Sequence, residues 1–388
     1  MGNNSKENLI YLDNAATTCS LSGCMDIIQK YTFSSFYNPS ATYSKAIEVK
    51  KDLEKARKNI LNKLNGSEGK LVFTSSGSEA NNIALSCLSI PKGSKIIVGN
   101  AEHSSVFNVT TLLKSLGYNI CFAPVNLNGQ ICLEKFKQIL TPDTKLVSIM
   151  HVNNETGAVN DIKLLNSLSK CANKNIIFHA DGVQAVGKIP VDMKELDVDL
   201  YSISAHKFGG IKGAAALYAK SQINIKPFIY GGGQELNIRS STENITAILC
   251  MELALIHKLK KLEDNIQKTK SFQQKLNHYF SKLDNIKILT KIENSNYHIF
   301  SFAMKKVKSE IMQHILEENK IFVGTGSACN SSKHNLRISN ALKLGNEYKH
   351  GIIRLSFSEE TNEEQIQKFL NIFSLEYNKI YNQLNSGV

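Results

Sequence analysis

The sequence predicts an α/β protein, with a large domain around a mainly parallel seven-stranded sheet and a smaller α+β domain. Three observations predict it. Seven short runs rich in Val and Ile recur at residues 71–74, 95–98, 119–123, 146–150, 176–178, 200–204 and 214–218. Most neighbouring runs are separated by amphipathic stretches of helical period, such as 104–116 and 162–172. After about Glu243 this alternation stops. Short unbroken apolar runs are what strands need when helices cover both faces of their sheet.

In chain order, residues 1–12 are expected to pack on the smaller domain and 13–250 to form the large one. A long helical pattern runs from 243 to about 283. It is followed by strands near 286–289 and 297–302, a helix at 309–319, strands near 321–323 and 352–356, and a helix from about 361. Residues 251–388, with 1–12, therefore make the smaller domain, which carries the loop around Cys329.

A chain of 388 residues that is 42% hydrophobic can bury a large core without disulfides or structural metals. No apolar run reaches the ~18–20 residues of a membrane span. The opening Met1 to Lys6 is polar, with neither a secretory leader nor a myristoylation signal, and a cytoplasmic protein is expected. The 46 basic residues against 34 acidic ones give +12, but they are dispersed, as at Lys258, Lys260 and Lys261. Without a zinc-finger spacing or an aromatic-basic motif they read as solvated helix faces, and nucleic acid is not an expected partner. None of the eight cysteines forms Cys-x-x-Cys and no Cys/His cluster has zinc spacing, so no metal is expected.

The informative pattern is where the polar residues fall. Ligands of open α/β sheets bind beyond the carboxyl ends of the strands. Five of the runs are followed there by unusual chemistry: Ser75 to Glu79, His103, His151 to Glu155, Asp181 with Gln184, and His206 with Lys207. One edge of one sheet then gathers an anion-binding turn, an imidazole, an amide, a carboxylate and an amine. The small residues Ser75 to Ser78 open a helix. They suit either an anion at its N-terminus or an ordinary cap made by Ser78. No lysine follows as in a nucleotide-binding P-loop. Lys207, at a strand end among small residues, is suited to lose basicity and act as an amine nucleophile in a Schiff base. Asp181 suits either the carboxylate that pyridoxal phosphate needs to keep its ring nitrogen protonated or an ordinary turn residue at a strand end.

In these residues the chain resembles the cysteine desulfurases of the class V aminotransferase group, of the nitrogen-fixation and iron–sulfur-cluster-assembly type. The resemblance runs from Tyr11-Leu12-Asp13-Asn14-Ala15-Ala16-Thr17-Thr18 to the Arg354 region. Its most specific pieces are Thr74-Ser75-Ser76-Gly77-Ser78-Glu79, Ala101-Glu102-His103, His151-Val152-Asn153-Asn154-Glu155, His179-Ala180-Asp181-Gly182-Val183-Gln184 and Ser204-Ala205-His206-Lys207. Arg239-Ser240-Ser241-Thr242 and Gly324-Thr325-Gly326-Ser327-Ala328-Cys329 complete it.

The resemblance implies the fold type I architecture of pyridoxal-phosphate enzymes, with pyridoxal 5'-phosphate as cofactor and L-cysteine as substrate. It implies a homodimer and a sulfur-acceptor protein, such as an iron–sulfur scaffold. It assigns Lys207 to covalent attachment of the cofactor, Asp181 to the ring nitrogen, Gln184 to the ring hydroxyl, and His103 to stacking and proton transfer. Gly77, Ser78, Ser204 and His206 would hold the phosphate, with Thr242 reaching in from the other subunit. Asn154 and Arg354 would bind the substrate carboxylate, a role that suits a guanidinium's paired donors. Cys329 would take sulfur as a persulfide. The residues around Cys329 agree, because glycine and small polar neighbours suit an accessible thiol that can ionise and attack.

The chain departs from the family pattern at Tyr43, at Ile211 and at Ser241, where relatives carry His, Pro and Gly. Residues 377–388 do not resemble the tail that relatives use to engage a scaffold. The expected activity is L-cysteine desulfuration. Selenocysteine lyase and another class V aminotransferase-fold activity are the alternatives.

Overall fold

The computed structural model describes residues 9–325 and 337–386, with side chains to residue 383. A short first strand, β1 (Ile10–Leu12), precedes the strands of the main sheet. These are β2 (Gly69–Thr74), β3 (Lys95–Gly99), β4 (Asn119–Ala123), β5 (Thr144–Met150), β6 (Ile177–Asp181), β7 (Leu200–Ser204) and β8 (Ala215–Lys220). Their order is β2-β8-β7-β6-β5-β3-β4. Only β8 runs antiparallel to its neighbours, β2 and β7. The carboxyl ends of β2, β3, β5, β6 and β7 therefore share one edge, as the spacing of the polar residues predicts.

Side chains alternate across this sheet with period two. Leu71, Phe73, Ile97, Val147 and Ile203 enter one core with Val49 and Leu53 of helix Ser44–Lys63 and Ile248 of helix Ile245–Lys260. Val72, Ile96, Val98, Leu146 and Leu217 enter another with Ile83 of helix Gly77–Ser86 and Val106 of helix Ser104–Ser115. Apolar cover on both faces is why the strands read as unbroken runs.

The second sheet contains β9 (Ile286–Ile288), β10 (Ile299–Met304), β11 (Ile321–Thr325) and β12 (Ile352–Ser356) in the order β1-β11-β12-β10-β9. Only β1 and β11 run parallel. Its core is aromatic, with Phe280 stacked on Phe302 at 4.2 Å between ring centroids and packed edge-on against Phe373.

The structure revises the sequence reading at three places. The helical pattern over 243–283 is two helices, Ile245–Lys260 and Leu262–Phe280. The run at 176–178 extends to Asp181, which is the last residue of β6 rather than a turn residue. Helix Gly77–Ser86 is capped by Ser76, whose Oγ accepts from Glu79 N at 3.2 Å, so Ser78 is not the cap.

The segment before helix Ile245–Lys260 is conformationally strained. Glu235, Leu236 and Asn237 have φ of +46°, +61° and +62°, and Ser241 has φ of +149°. Arg57 holds Glu235 with two hydrogen bonds of 2.8 and 2.9 Å. A non-glycine residue in this region costs roughly 1–3 kcal/mol, against about 0.5–1 kcal/mol of backbone entropy for glycine. Ser241→Gly is expected to stabilise the protein by about 1 kcal/mol, seen as a higher Tm. A lower Tm would show that Ser241 is not strained.

Candidate active site

A cavity of about 380 Å³ opens at the carboxyl edge of the main sheet. Gly77, Ser78, His103, Asn154 and Asp181 line it, as do Gln184, Ser204, His206, Lys207 and Arg354. Thr242 does not. It is exposed, three residues before the helix Ile245–Lys260. Cys329 lies outside the described residues.

The turn after β2 and the end of β7 form one wall. A Cβ at Gly77 would stand 2.8 Å from Val183 Cγ2 and 3.3 Å from Ser204 Cβ, so glycine keeps this wall open. Beside it the Ser204 hydroxyl is buried without a hydrogen-bond partner among the described residues. An unpaired buried hydroxyl at a helix N-terminus suits an anionic ligand with acceptor oxygens. His206 shares this end, its Nδ1 3.1 Å from Thr17 Oγ1. Burial, with Lys207, Lys212 and Lys188 nearby, lowers its pKa to about 4. These residues fit a phosphate group.

Asp181 is 3% exposed at the end of β6. Its Oδ1 accepts from Val183 N at 3.0 Å and its Oδ2 from Asn81 Nδ2 at 2.8 Å. His103 caps helix Ser104–Ser115 by accepting from Ser105 N at 3.2 Å. Burial, with Lys207, Arg337 and Arg354 nearby, keeps its pKa below the usual value, although Asp181 opposes the shift. The neighbouring Glu102 is fully enclosed, and burial raises its carboxyl well above the ordinary range.

Lys207 donates from Nζ to the carbonyls of Ala15 and Ala16, both at 2.7 Å. Gln184 Nε2 shares the Ala15 carbonyl at 2.9 Å. Behind it, the buried Lys188 donates to Gln184 Oε1 at 2.5 Å, and burial lowers its pKa well below the lysine range. Lys188 thus fixes which end of the Gln184 amide donates.

Arg354, in β12, brings the second sheet to the cavity. It reaches Asp13 Oδ1 at 2.8 Å, the Asn154 carbonyl at 2.9 Å and Glu155 Oε1 at 3.4 Å. Burial raises the Glu155 carboxyl.

Sequence reasoning did not identify Asn81, Lys188 or Arg337. Asn81 interrupts the apolar face of Ala80, Ile83 and Ala84, a signal that was present in the sequence. Lys188 lies only four residues beyond Gln184, in the turns that follow β6. Arg337 lines the cavity and stacks over Phe107 at 4.6 Å, a contact no local pattern announces. Among the described residues no group of His, Cys, Asp or Glu could hold a metal ion, and no helix is long and apolar enough to cross a membrane.

Residues 10–369 match the family described as Aminotransferase class-V. The chain is 34% identical over 373 residues to "Cysteine desulfurase IscS" of Clostridium botulinum strain Hall, covering 94% of this chain and 93% of that protein. The structure resembles a NifS-like protein from Rickettsia africae, with a TM-score of 0.85, 30% identity, and coverage of 96% and 100%. It also resembles "SspA in complex with cysteine", with a TM-score of 0.76, 26% identity, and coverage of 90% and 98%.

Proposed function

The chain belongs to the class V aminotransferase family, and from that premise we propose that it is a cytoplasmic L-cysteine desulfurase. It would convert L-cysteine to L-alanine, leave a persulfide on Cys329, and pass that sulfur to an acceptor protein of iron–sulfur or other thio-cofactor assembly. The observation that carries the reading is the meeting of Lys207, Asp181, His103 and Arg354 in one cavity. The desulfurase relatives at 34% identity and the cysteine complex of a structural neighbour support it.

Enzymes of this family use pyridoxal phosphate, which when bound supplies an electron sink for the pair left on the substrate's α-carbon. Lys207 is the amine that attaches it. Gly77, Ser78, Ser204 and His206 hold its phosphate, Asp181 keeps a proton on its ring nitrogen, and Gln184 donates to its ring hydroxyl. Arg354 and Asn154 orient the substrate carboxylate. Arg354 already faces two carboxylates in Asp13 and Glu155, so substrate enters by exchange with one of these contacts.

His103 lies in the same cavity, where the proton transfers of the reaction take place. The Cys329 thiolate takes the substrate's sulfur as the carbon–sulfur bond breaks, and the β-carbon, which keeps the bond's electron pair, takes up a proton in exchange for the one the substrate's thiol gives up. Cysteine plus thiol therefore gives alanine plus persulfide, with atoms and electrons balanced and no external oxidant.

A homodimer completes this reading. Thr242 is exposed on its own chain, as a residue serving the second copy's phosphate site would be. Large exposed rings also lie in the segments around residues 33–43 and 228–236, including Tyr230 at 82% and Phe33 at 73% exposure.

The test is incubation of the purified protein with L-cysteine and a reductant. Alanine and sulfide are expected in equal amounts. Formation of a keto acid without sulfide would replace the proposal with an aminotransferase. Turnover of L-selenocysteine but not L-cysteine would replace it with a lyase.

A further inference from the structure

Asn81 and Ser105 line the cavity between two residues of the proposed site, Asp181 and His103. Asn81 Nδ2 donates to Asp181 Oδ2 at 2.8 Å. The same nitrogen lies 2.9 Å from Ser105 Oγ, for its second hydrogen. Ser105 Oγ is 2.8 Å from His103 Nδ1, and the Ser105 backbone N–H donates to that ring atom at 3.2 Å. We infer that Asn81 and Ser105 form a hydrogen-bonded strut from the Asp181 carboxylate to the His103 ring, holding that ring with its proton on Nε2. Both are positioning residues, and their catalytic relevance rests on the role proposed above for His103.

The directions of the bonds follow from what each group can do. An ionised carboxylate only accepts, so Asn81 must turn its NH₂ toward Asp181. That NH₂ donates to Ser105 Oγ, which leaves the hydroxyl hydrogen for Nδ1. A backbone N–H only donates, so Nδ1 must be the ring's acceptor. The proton of the neutral ring is then on Nε2. A second proton could enter only at Nδ1, where it would displace both Ser105 donors. The strut therefore disfavours the imidazolium and keeps His103 a neutral N–H donor.

The strut has a structural cost. Asn81 is 1% exposed on a buried helix face that also carries Ala80, Ile83, Ala84 and Leu85, and its Oδ1 has no hydrogen-bond partner among the described residues. An apolar side chain at this position would leave no buried acceptor unpaired. Ser105 is a small residue in the first turn of its own helix, and its hydroxyl is not needed to cap that turn, because His103 does so.

The charged and titratable groups around His103 are Asp181 from β6, Lys207 after β7, Arg337, and Arg354 from β12. Glu102 precedes it in the chain. All remain in a Ser105 variant, so a change there reports the hydroxyl.

The experiment is imidazole ¹H–¹⁵N NMR on the full-length chain labelled at histidine, with and without bound cofactor, using His103→Gln to assign the signal. In the parent, His103 should carry its proton on Nε2 and titrate below the ordinary histidine value. Ser105→Ala should raise its proton affinity about tenfold, one pH unit, while Ser105→Thr, which keeps the hydroxyl, should restore the parent midpoint. Asn81→Leu should move it in the same direction as Ser105→Ala. If that variant does not fold, the Ser105 pair decides alone.

A parent His103 protonated on Nδ1 would overturn the inference. So would Ser105→Ala and Ser105→Thr titrating alike. Neither readout needs turnover of cysteine, so the strut can fail while the desulfurase proposal stands, and the reverse.

Discussion

Lys207→Ala is expected to purify without the visible absorbance of covalently attached cofactor and to lose at least about a thousandfold in turnover. The other lysine close behind the cavity wall, Lys188, does not replace it. It does not line the cavity, and its amine is committed to Gln184 Oε1. The variant should fold. Lys207 is half-buried, and removing its side chain exposes the Ala15 and Ala16 carbonyls to a cavity that water can enter. Absorption spectra, mass spectrometry after borohydride reduction and a melting curve check these points together. A normal visible band in a folded Lys207→Ala protein would remove Lys207 from its proposed role.

Cys329→Ser is expected to separate the two halves of the reaction. The cofactor spectrum should match the parent, and L-cysteine should still perturb it. Alanine release should fall by on the order of a thousandfold, since the hydroxyl of serine is a poor acceptor of sulfur. None of the seven described cysteines lines the cavity, and Cys24, Cys87 and Cys250 are buried. No described thiol is therefore placed to take over. Mass spectrometry after one turnover of the parent should find one added sulfur, roughly 32 Da, at residue 329. A label on another cysteine, or parent-like desulfuration by Cys329→Ser, would remove Cys329 from its proposed role as sulfur acceptor. An unchanged Tm excludes unfolding as the cause.

Much of the main sheet and its carboxyl edge was legible because local chemistry announced it. β5 and β7 carry Val, Ile and Leu and are buried along almost their whole length, and the residues just beyond them are too polar for a packed core. Other features depend on pairings distant in sequence. Asp13 and Arg354 meet across 341 positions, and neither looks like a partner of the other until β1 and β12 share a sheet. The break at Lys261 was hidden because neither proline nor glycine marks it and both helices keep an apolar stripe. The cap moved from Ser78 to Ser76 because Ser75, Ser76 and Ser78 offer equivalent chemistry, and only the path of the backbone selects one. Asn81 escaped because one polar residue on a helix resembles a surface position until both faces of the sheet are seen to be covered.

The threading of residues 10–18 bears on when the protein acquires its chemistry. β1 is held by β11, Ala15 N donates to Ser356 Oγ at 2.8 Å, and the carbonyls of Ala15 and Ala16 receive Lys207. β1 must wait for β11, far later in the chain, before it can dock. The main sheet, complete by residue 220, can assemble much earlier. A nascent chain would thus own a folded scaffold with Lys207 in place but one wall of its cavity missing, and that wall would close only after synthesis of β12. Contacts of such long range are slow to form. The cavity would therefore be completed only after β12 has been made and has brought Arg354 to it.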